Sequence, residues 1–254
     1  MEKQKHNEII KAQFSKQAKG YTSVKAHAEA LNTLIEMSCV SEKDDVLDVA
    51  CGSGIVSCAF AKYARHVTGI DITEEMLEQA RILQAQSNLT NVEWVLRDVD
   101  PLGFSSNRFS IVFSRFSFHH LLAYEKVFEE MIRVCKPGGI VMVVDVVLPN
   151  EKRKAYDEME LLRDPSHTGV LTSEMFEKLS KTPLLSNSRT SYYEMNIDME
   201  TPLNASFMTD ENRKKIRALI FQDANKNNLG VNVTQIKNSY QLYYPIHIYM
   251  AIKK

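Results

Sequence analysis

Five short, almost wholly apolar runs recur along the first 148 residues, and most are followed by a polar turn and a stretch with helical spacing. They are Asp45 to Ala50, His66 to Ile70, Val92 to Leu96, Phe109 to Phe113 and Ile140 to Leu148. A strand that is apolar on both faces must be covered on both faces, and a strand–helix–strand connection runs its strands parallel. The pattern therefore predicts a parallel sheet between two layers of helices. Helices are expected over 54–63, from Thr73 onward, and over about 122–134, where Tyr124, Val127, Met131 and Val134 share one face. Glu74 and Glu75 suit the positive end of the second of these. Lys136-Pro137-Gly138-Gly139 reads as a turn.

The flanks have a different rhythm. Residues 5–17 predict a helix with Ile9, Ile10 and Phe14 on one side, and Val24, Ala28, Leu31 and Ile35 form a second helical stripe. After Pro149, residues 150–163 predict a charged amphipathic helix carrying Tyr156, Met159 and Leu162, and residues 173–180 predict another. Ser188 to Met199 and Tyr240 to Ile252 alternate and are rich in Tyr and Ile, so both read as strands, with a helix near 210–225 between them. No repeat, low-complexity tract or linker divides the chain, and one domain over 1–254 is expected.

Composition narrows the function. A net charge of −1 and a pI of about 6.7 supply no basic field for nucleic acid. No apolar run reaches the ~18 residues of a membrane span; the longest candidate, Gly139 to Leu148, is interrupted by Asp145. The N-terminal segment MEKQKHNEIIKAQF is polar, without a signal-peptide core, so cytoplasmic residence is the default expectation. The four cysteines form no C-x-x-C pair and match no zinc spacing, and no H-E-x-x-H occurs, so no metal is expected.

The chemistry concentrates at the first strand, whose sequence runs VLDVACGSG over 46–54. A glycine turn between strand and helix aims backbone N–H groups and a positive dipole end at a ligand. Gly52, Gly54 and Ser57 only approximate the dinucleotide fingerprint. Asp48, inside the strand just ahead of the glycines, would repel a pyrophosphate, but it favours a ligand carrying an ammonium and a sulfonium. S-adenosylmethionine carries both and has no phosphate. Asp71 ends the next strand, 17 positions after Gly54, where an acid accepts hydrogen bonds from ribose hydroxyls. Asp98 ends the third, at the place of an adenine amino group. Each acid taken alone also reads as a helix cap or a solvated loop residue. Together, at successive strand ends facing one crevice, they favour adenosylmethionine.

VLDVACGSG, GIDIT, RDVD, FSIVFSRFSFHHL and RVCKPGG, in this order and spacing, resemble the class I S-adenosylmethionine-dependent methyltransferases. Within them the chain is similar to the ubiquinone/menaquinone-biosynthesis type that methylates small molecules. The match covers about residues 40–148; FSKQAKGY (14–21) and RDPSH (163–167) resemble further segments of that branch. The resemblance implies a Rossmann-like α/β fold with a seven-stranded mixed sheet of order 3-2-1-4-5-7-6, strand 7 antiparallel, and an N-terminal helical lid. The lid is then 1–38, the cofactor-binding core 39–148, and the substrate-covering helices with the terminal hairpin 149–254. It also implies that Asp48, Ala50, Gly52 and Gly54 hold the methionine end of the cofactor and that Asp71 and Ile72 hold the ribose. Met76 packs nearby, Asp98 and Val99 flank the adenine, Ser114 lies near the methionine moiety, and Tyr21 closes over it.

Methyl transfer from a sulfonium is an in-line displacement that leaves S-adenosylhomocysteine and needs mainly orientation and desolvation. A hydroxyl or amine acceptor also profits from a general base. His119 and His167 are the candidates, with Arg163 and Arg115 able to grip an acidic acceptor. Adjacent histidines point in different directions, so only one of His119 and His120 is expected in a pocket, the other serving as a cap. The expected partner is a small-molecule acceptor, neither nucleic acid nor membrane, and a homodimer is compatible with the sequence. The alternative reading is an adenosylmethionine-binding protein of the same fold used as a non-methylating enzyme or a partner-binding scaffold.

Overall fold

The computed structural model describes residues 2–23 and 29–254, the side chains of 21–23 excepted. In chain order the elements are α1 (Glu2–Ser23), α2 (Leu31–Ser38), β1 (Asp45–Val49), α3 (Ile55–Ala61), β2 (His66–Asp71), α4 (Glu74–Gln86), β3 (Val92–Leu96), β4 (Phe109–Arg115), α5 (Tyr124–Val134) and β5 (Cys135–Leu148). There follow α6 (Asn150–Arg163), β6 (Leu171–Thr172), α7 (Ser173–Ser180), β7 (Leu185–Asp198), α8 (Glu200–Ala205), α9 (Asp210–Asp223), β8 (Thr234–Ile236) and β9 (Ser239–Lys253). The predicted strands and helices recur with small shifts at their ends. Val24 and Ala28 of the proposed second helical stripe lie outside the described residues; Leu31 and Ile35 are in α2.

The principal sheet order is β3-β2-β1-β4-β5-β9-β7. Strands β1 to β5 pair parallel, and β9 runs antiparallel to both β5 and β7. This is the expected 3-2-1-4-5-7-6 arrangement. The sheet is nine-stranded rather than seven-stranded, because the two-residue β6 adds to β5 and the three-residue β8 adds to β9. Both are short pairings made by the connections that leave β5 and precede β9, which sequence alternation is too brief to reveal. The turn expected at Lys136–Gly139 is also absorbed. Phe109 pairs with Cys135 and Ile111 with Ile140, so residues 136–139 form an irregular excursion inside β5 opposite Ser110.

The strands bury both faces because their side chains alternate between two cores. Ile111 and Phe113 join one core with Phe60 of α3, Met159 of α6 and Ile220 of α9; Val112 joins the other with Met131 of α5 and Phe176 of α7. Phe60 and Phe113 stack at 4.6 Å between ring centroids. Gly54 has a φ of +74°, and a Cβ there would lie 2.5 Å from the Trp94 ring and 2.8 Å from Ala80, so this glycine seats the start of α3 against α4 and β3.

Helix α1 packs against α4 and α8. Its polar residues reach three different loops: Asn7 donates to Asp98 (2.8 Å), His6 donates to the His120 carbonyl (2.8 Å), and Gln17 reaches Asp164 (3.4 Å).

Phe113→Ala removes a fully buried ring from the middle of the sheet. Truncations of this kind cost about 3–5 kcal/mol. Urea unfolding followed by circular dichroism should show a lower midpoint with a nearly unchanged slope.

Candidate functional site

The strand order reverses between β1 and β4, which opens a crevice at their carboxyl ends. A cleft of about 930 Å3 occupies it. The chain leaves both central strands through left-handed backbone: Ala50 after β1 has φ 58° and Phe116 after β4 has φ 56°. Non-glycine residues rarely adopt that region, and where they do the strain often marks a functional turn. Both residues line the crevice.

Three carboxylates enter this cleft from consecutive strand ends. Asp48 is almost fully buried and accepts from the Ser57 hydroxyl at 2.5 Å. Burial pushes its carboxyl up to about 7, with the neighbouring Asp71 adding to the rise. Asp71 accepts from the backbone N–H of Gly52 and of Thr73, each at 2.9 Å. Burial raises its carboxyl against those bonds. Asp98 behaves oppositely. Burial opposes its ionisation, but the Asp100 N–H, Lys3 and Asn7 outweigh it and hold the carboxyl below its usual range.

Gly52 has a φ of +52°, and a Cβ there would meet nothing within 4 Å, so the loop presents backbone to open space. The neighbouring Ser53 hydroxyl is buried and has no hydrogen-bond partner among the described residues. Ile72, Met76 and Val99 supply apolar walls, and Asn7, Ile10 and Phe14 of α1 close the cleft from above. Asp48, Ala50, Gly52, Asp71, Ile72, Met76, Asp98 and Val99 thus meet in one cleft.

Two expected members stand elsewhere. Gly54 does not line the cleft but seats α3. Ser114 is buried behind it, donating to the Val49 carbonyl at 2.7 Å and meeting the Ser117 hydroxyl at 2.5 Å, so it stitches β4 to β1. The Tyr21 side chain lies outside the described residues.

A second cleft adjoins the first and shares Phe14, Phe116 and His120 with it. Val146, Tyr156, Met195, Ile197 and Tyr244 form much of its apolar wall. Both adjacent histidines line this cleft, contrary to the expectation of one, because Phe118–His120 is a single 3-10 turn whose rings tilt together at 4.2 Å. His119 Nδ1 lies 2.7 Å from the fully buried Asp145 carboxylate. Burial works against a charged His119 ring, but Asp145 outweighs it and the ring titrates above its ordinary value. His120 is held well below its ordinary value by burial and by the neighbouring His119, so it is neutral.

Arg163 lines the second cleft, but its charge is already engaged. Nε donates to Glu160 at 2.8 Å and Nη1 to the Ser206 hydroxyl at 2.9 Å. His167 lines neither cleft. Its Nε2 sits 2.7 Å from Asp157 and its ring lies 5.8 Å from that of His119, behind it. Arg115 donates to the Glu29 carbonyl (2.9 Å) and to the Tyr193 hydroxyl (2.8 Å) at the wall of the first cleft. Sequence reasoning passed over Asp145, noticed only as an interruption of an apolar run. A lone carboxylate in a buried strand was the available signal, the same signal that singled out Asp48.

Residues 46–139 match the model of a methyltransferase domain family. The chain is 31% identical over 158 residues to the uncharacterized methyltransferase YcgJ of Bacillus subtilis, spanning 61% of this chain and 62% of that protein. It is 34% identical over 131 residues to a demethylmenaquinone methyltransferase of Listeria monocytogenes, spanning 50% of this chain and 55% of the relative. The crystal structure of YcgJ superposes with a TM-score of 0.81 at 21% identity, covering 89% of this chain and 98% of that one. The matched segments thus span less than two thirds of the length of these curated relatives, while the fold extends over nearly the whole chain. Residues 46–139 are thus similar to a methyltransferase domain, and they are built into a Rossmann-like α/β fold that the chain shares with YcgJ.

Proposed function

We propose that this protein is an S-adenosylmethionine-dependent methyltransferase that transfers a methyl group to a small organic molecule by in-line displacement. The observation that carries the reading is the set of three carboxylates, Asp48, Asp71 and Asp98, on one glycine-loop cleft. Such a cleft disfavours a phosphate-bearing nucleotide and suits a cationic adenosyl ligand. Bound adenosylmethionine supplies a methyl group on a sulfonium, ready for displacement.

The residues present fit that ligand. Asp48 and the Gly52 backbone face its methionine end, with the unpartnered Ser53 hydroxyl beside them. Asp71 keeps lone pairs free beyond its two backbone bonds, in keeping with two ribose hydroxyls. Asp98 and Val99 take the adenine edge. Phe116 and His120, shared by both clefts, then stand where the methyl group passes to the acceptor. Helix α1 serves as the lid, which excludes water from the reacting pair. We read the whole chain as one catalytic domain. The four cysteines are free, in keeping with a reducing cytoplasm.

Asp71→Ala should weaken adenosylmethionine binding. Hydrogen bonds to a charged group are worth about 1.5–3 kcal/mol, so calorimetry should record roughly a tenfold to hundredfold rise in Kd; an unchanged Kd removes Asp71 from the site. Affinity should also follow the ionisation of Asp48, whose carboxyl lies at about 7. Because the ionised form attracts the ammonium, affinity should fall about tenfold from pH 8 to pH 6, and Asp48→Asn should flatten that dependence. Hydrogen exchange should show residues 9–20 of α1 better protected with adenosylhomocysteine bound; equal protection in both states argues against a lid.

A further inference from the structure

Two of the strand-end carboxylates in the first cleft are satisfied by different kinds of partner. Asp71 accepts from backbone N–H groups of the glycine loop and of its own turn, which are fixed once the chain is folded. Asp98 has one bond of that kind, from the Asp100 N–H to Oδ1 at 3.1 Å. Its other oxygen is taken by side chains that arrive from α1. Asn7 Nδ2 donates to Oδ2 at 2.8 Å, and the Lys3 ammonium lies 3.0 Å from the same atom. A carboxylate oxygen offers two lone-pair sites, so these two donors fill Oδ2. Lys3 also pairs with the Asp100 carboxylate at 3.1 Å.

Asn7 lines the first cleft, so its amide stands between an incoming ligand and Asp98. That amide is a planar NH2 on an sp2 carbon. The exocyclic amino group of adenine has the same shape and the same donors, and it would reach a carboxylate over the same distance. The two groups cannot hold one lone pair together.

The end of α1 that carries these donors is held differently from the rest of the helix. Residues 2–8 read EKQKHNE and contain no apolar side chain. Their bonds to other elements are polar: Lys3 and Asn7 on the loop after β3, and His6 on the His120 carbonyl. Further along, Gln13, Gln17 and Ala18 are buried, and Phe14 lies on the boundary of the two clefts. The Lys3 side chain is 44% exposed and its two carboxylates about a third, so salt screens these pairs. A groove of about 1030 Å3 lies beside the first cleft and is lined by Lys3, Asn7 and Asp98 together with Lys126 of α5. It gives the displaced side chains somewhere to go.

We propose, resting on the adenosylmethionine reading above, that residues 2–8 are an autoinhibitory strap: the Asn7 amide, backed by Lys3, occupies the Asp98 acceptor that the adenine amino group takes, and cofactor binding releases this end of α1 while the remainder stays docked. The free protein then keeps its adenine acceptor satisfied. A ligand displaces the strap only if it brings a donor of its own.

The experiment uses the full chain and two probes, adenosylhomocysteine and the same molecule with hydrogen in place of the adenine amino group. The second probe has no atom to put where Asn7 Nδ2 stands. By calorimetry, Lys3→Ala and Asn7→Ala should each bind adenosylhomocysteine roughly threefold to tenfold more tightly than the unaltered chain, with affinity for the amino-free probe within about twofold. Raising potassium chloride from about 0.05 M to about 0.5 M should increase the preference of the unaltered chain for the amino-bearing probe, and should do so less in Lys3→Ala. Unchanged or weaker binding of adenosylhomocysteine by both variants, or an equal gain on both probes, would overturn the proposal. Hydrogen exchange supplies a second reading, because the amides of residues 6–8 bond within the helix to the carbonyls of residues 2–4. They should exchange faster with adenosylhomocysteine bound, opposite to residues 9–20; equal or slower exchange there would also overturn the strap. Absence of adenosylhomocysteine binding in the unaltered chain and both variants would instead overturn the cofactor reading on which the strap rests.

Discussion

The parallel pairing of β1 with both β2 and β4 is the constraint from which the site follows. Parallel strands all end on the same side of the sheet, and reversal of strand order at β1 leaves their ends without a covering connection. Apolar burial on both faces makes this edge rigid, so side chains placed there are held by two cores at once. The left-handed bends at Ala50 and Phe116 are tolerated because those cores over-determine the paths of β1 and β4. The glycine loop, the second cleft and the bonds from α1 are all consequences of this shared edge.

A carboxylate at such an edge is removed from water and must be compensated. The solutions differ, and the differences assign roles. Asp145 receives three N–H donors and spends one on orienting His119. Asp71 receives two backbone donors and ties the glycine loop to the start of α4. Asp48 has the Ser57 hydroxyl and a neighbouring acid, so burial dominates and its carboxyl lies near 7. Of the three it is the least satisfied by the protein, and it gains most from a cation.

Helix α1 joins the two clefts. Asn7 and Ile10 close over the first, Gln17 over the second, and Phe14 lies on the boundary, edge-on to His120 at 5.1 Å. His120 in turn meets Ser166, whose hydroxyl donates to Asp164, the acceptor of Gln17. Displacing α1 would therefore disturb both compartments together.

The parallel core, the glycine turn and the acids at the first three strand ends were legible in the amino-acid sequence, because each is a local pattern: an apolar run, a turn residue, a charge at a fixed offset. The terminal strands were legible for the same reason, through period-two alternation rich in Tyr and Ile. Four features were not. Arg163 reads as a free cation in one dimension, but Glu160 lies three residues away on the same helix face and Ser206 comes from 43 positions further on. His167 looks like a pocket base until α6 brings Asp157 to its ring. Ser114 looks like a ligand contact, and β4 turns it instead toward Val49. Asp145 looks like a break in an apolar strand, and only the 3-10 turn after β4 supplies its histidine. Sequence patterns report which surfaces must be buried and which residues carry charge. Partners that meet across the ends of a sheet are chosen by tertiary packing, because a hydrogen bond or ion pair depends on a few ångströms of separation that sequence distance does not encode.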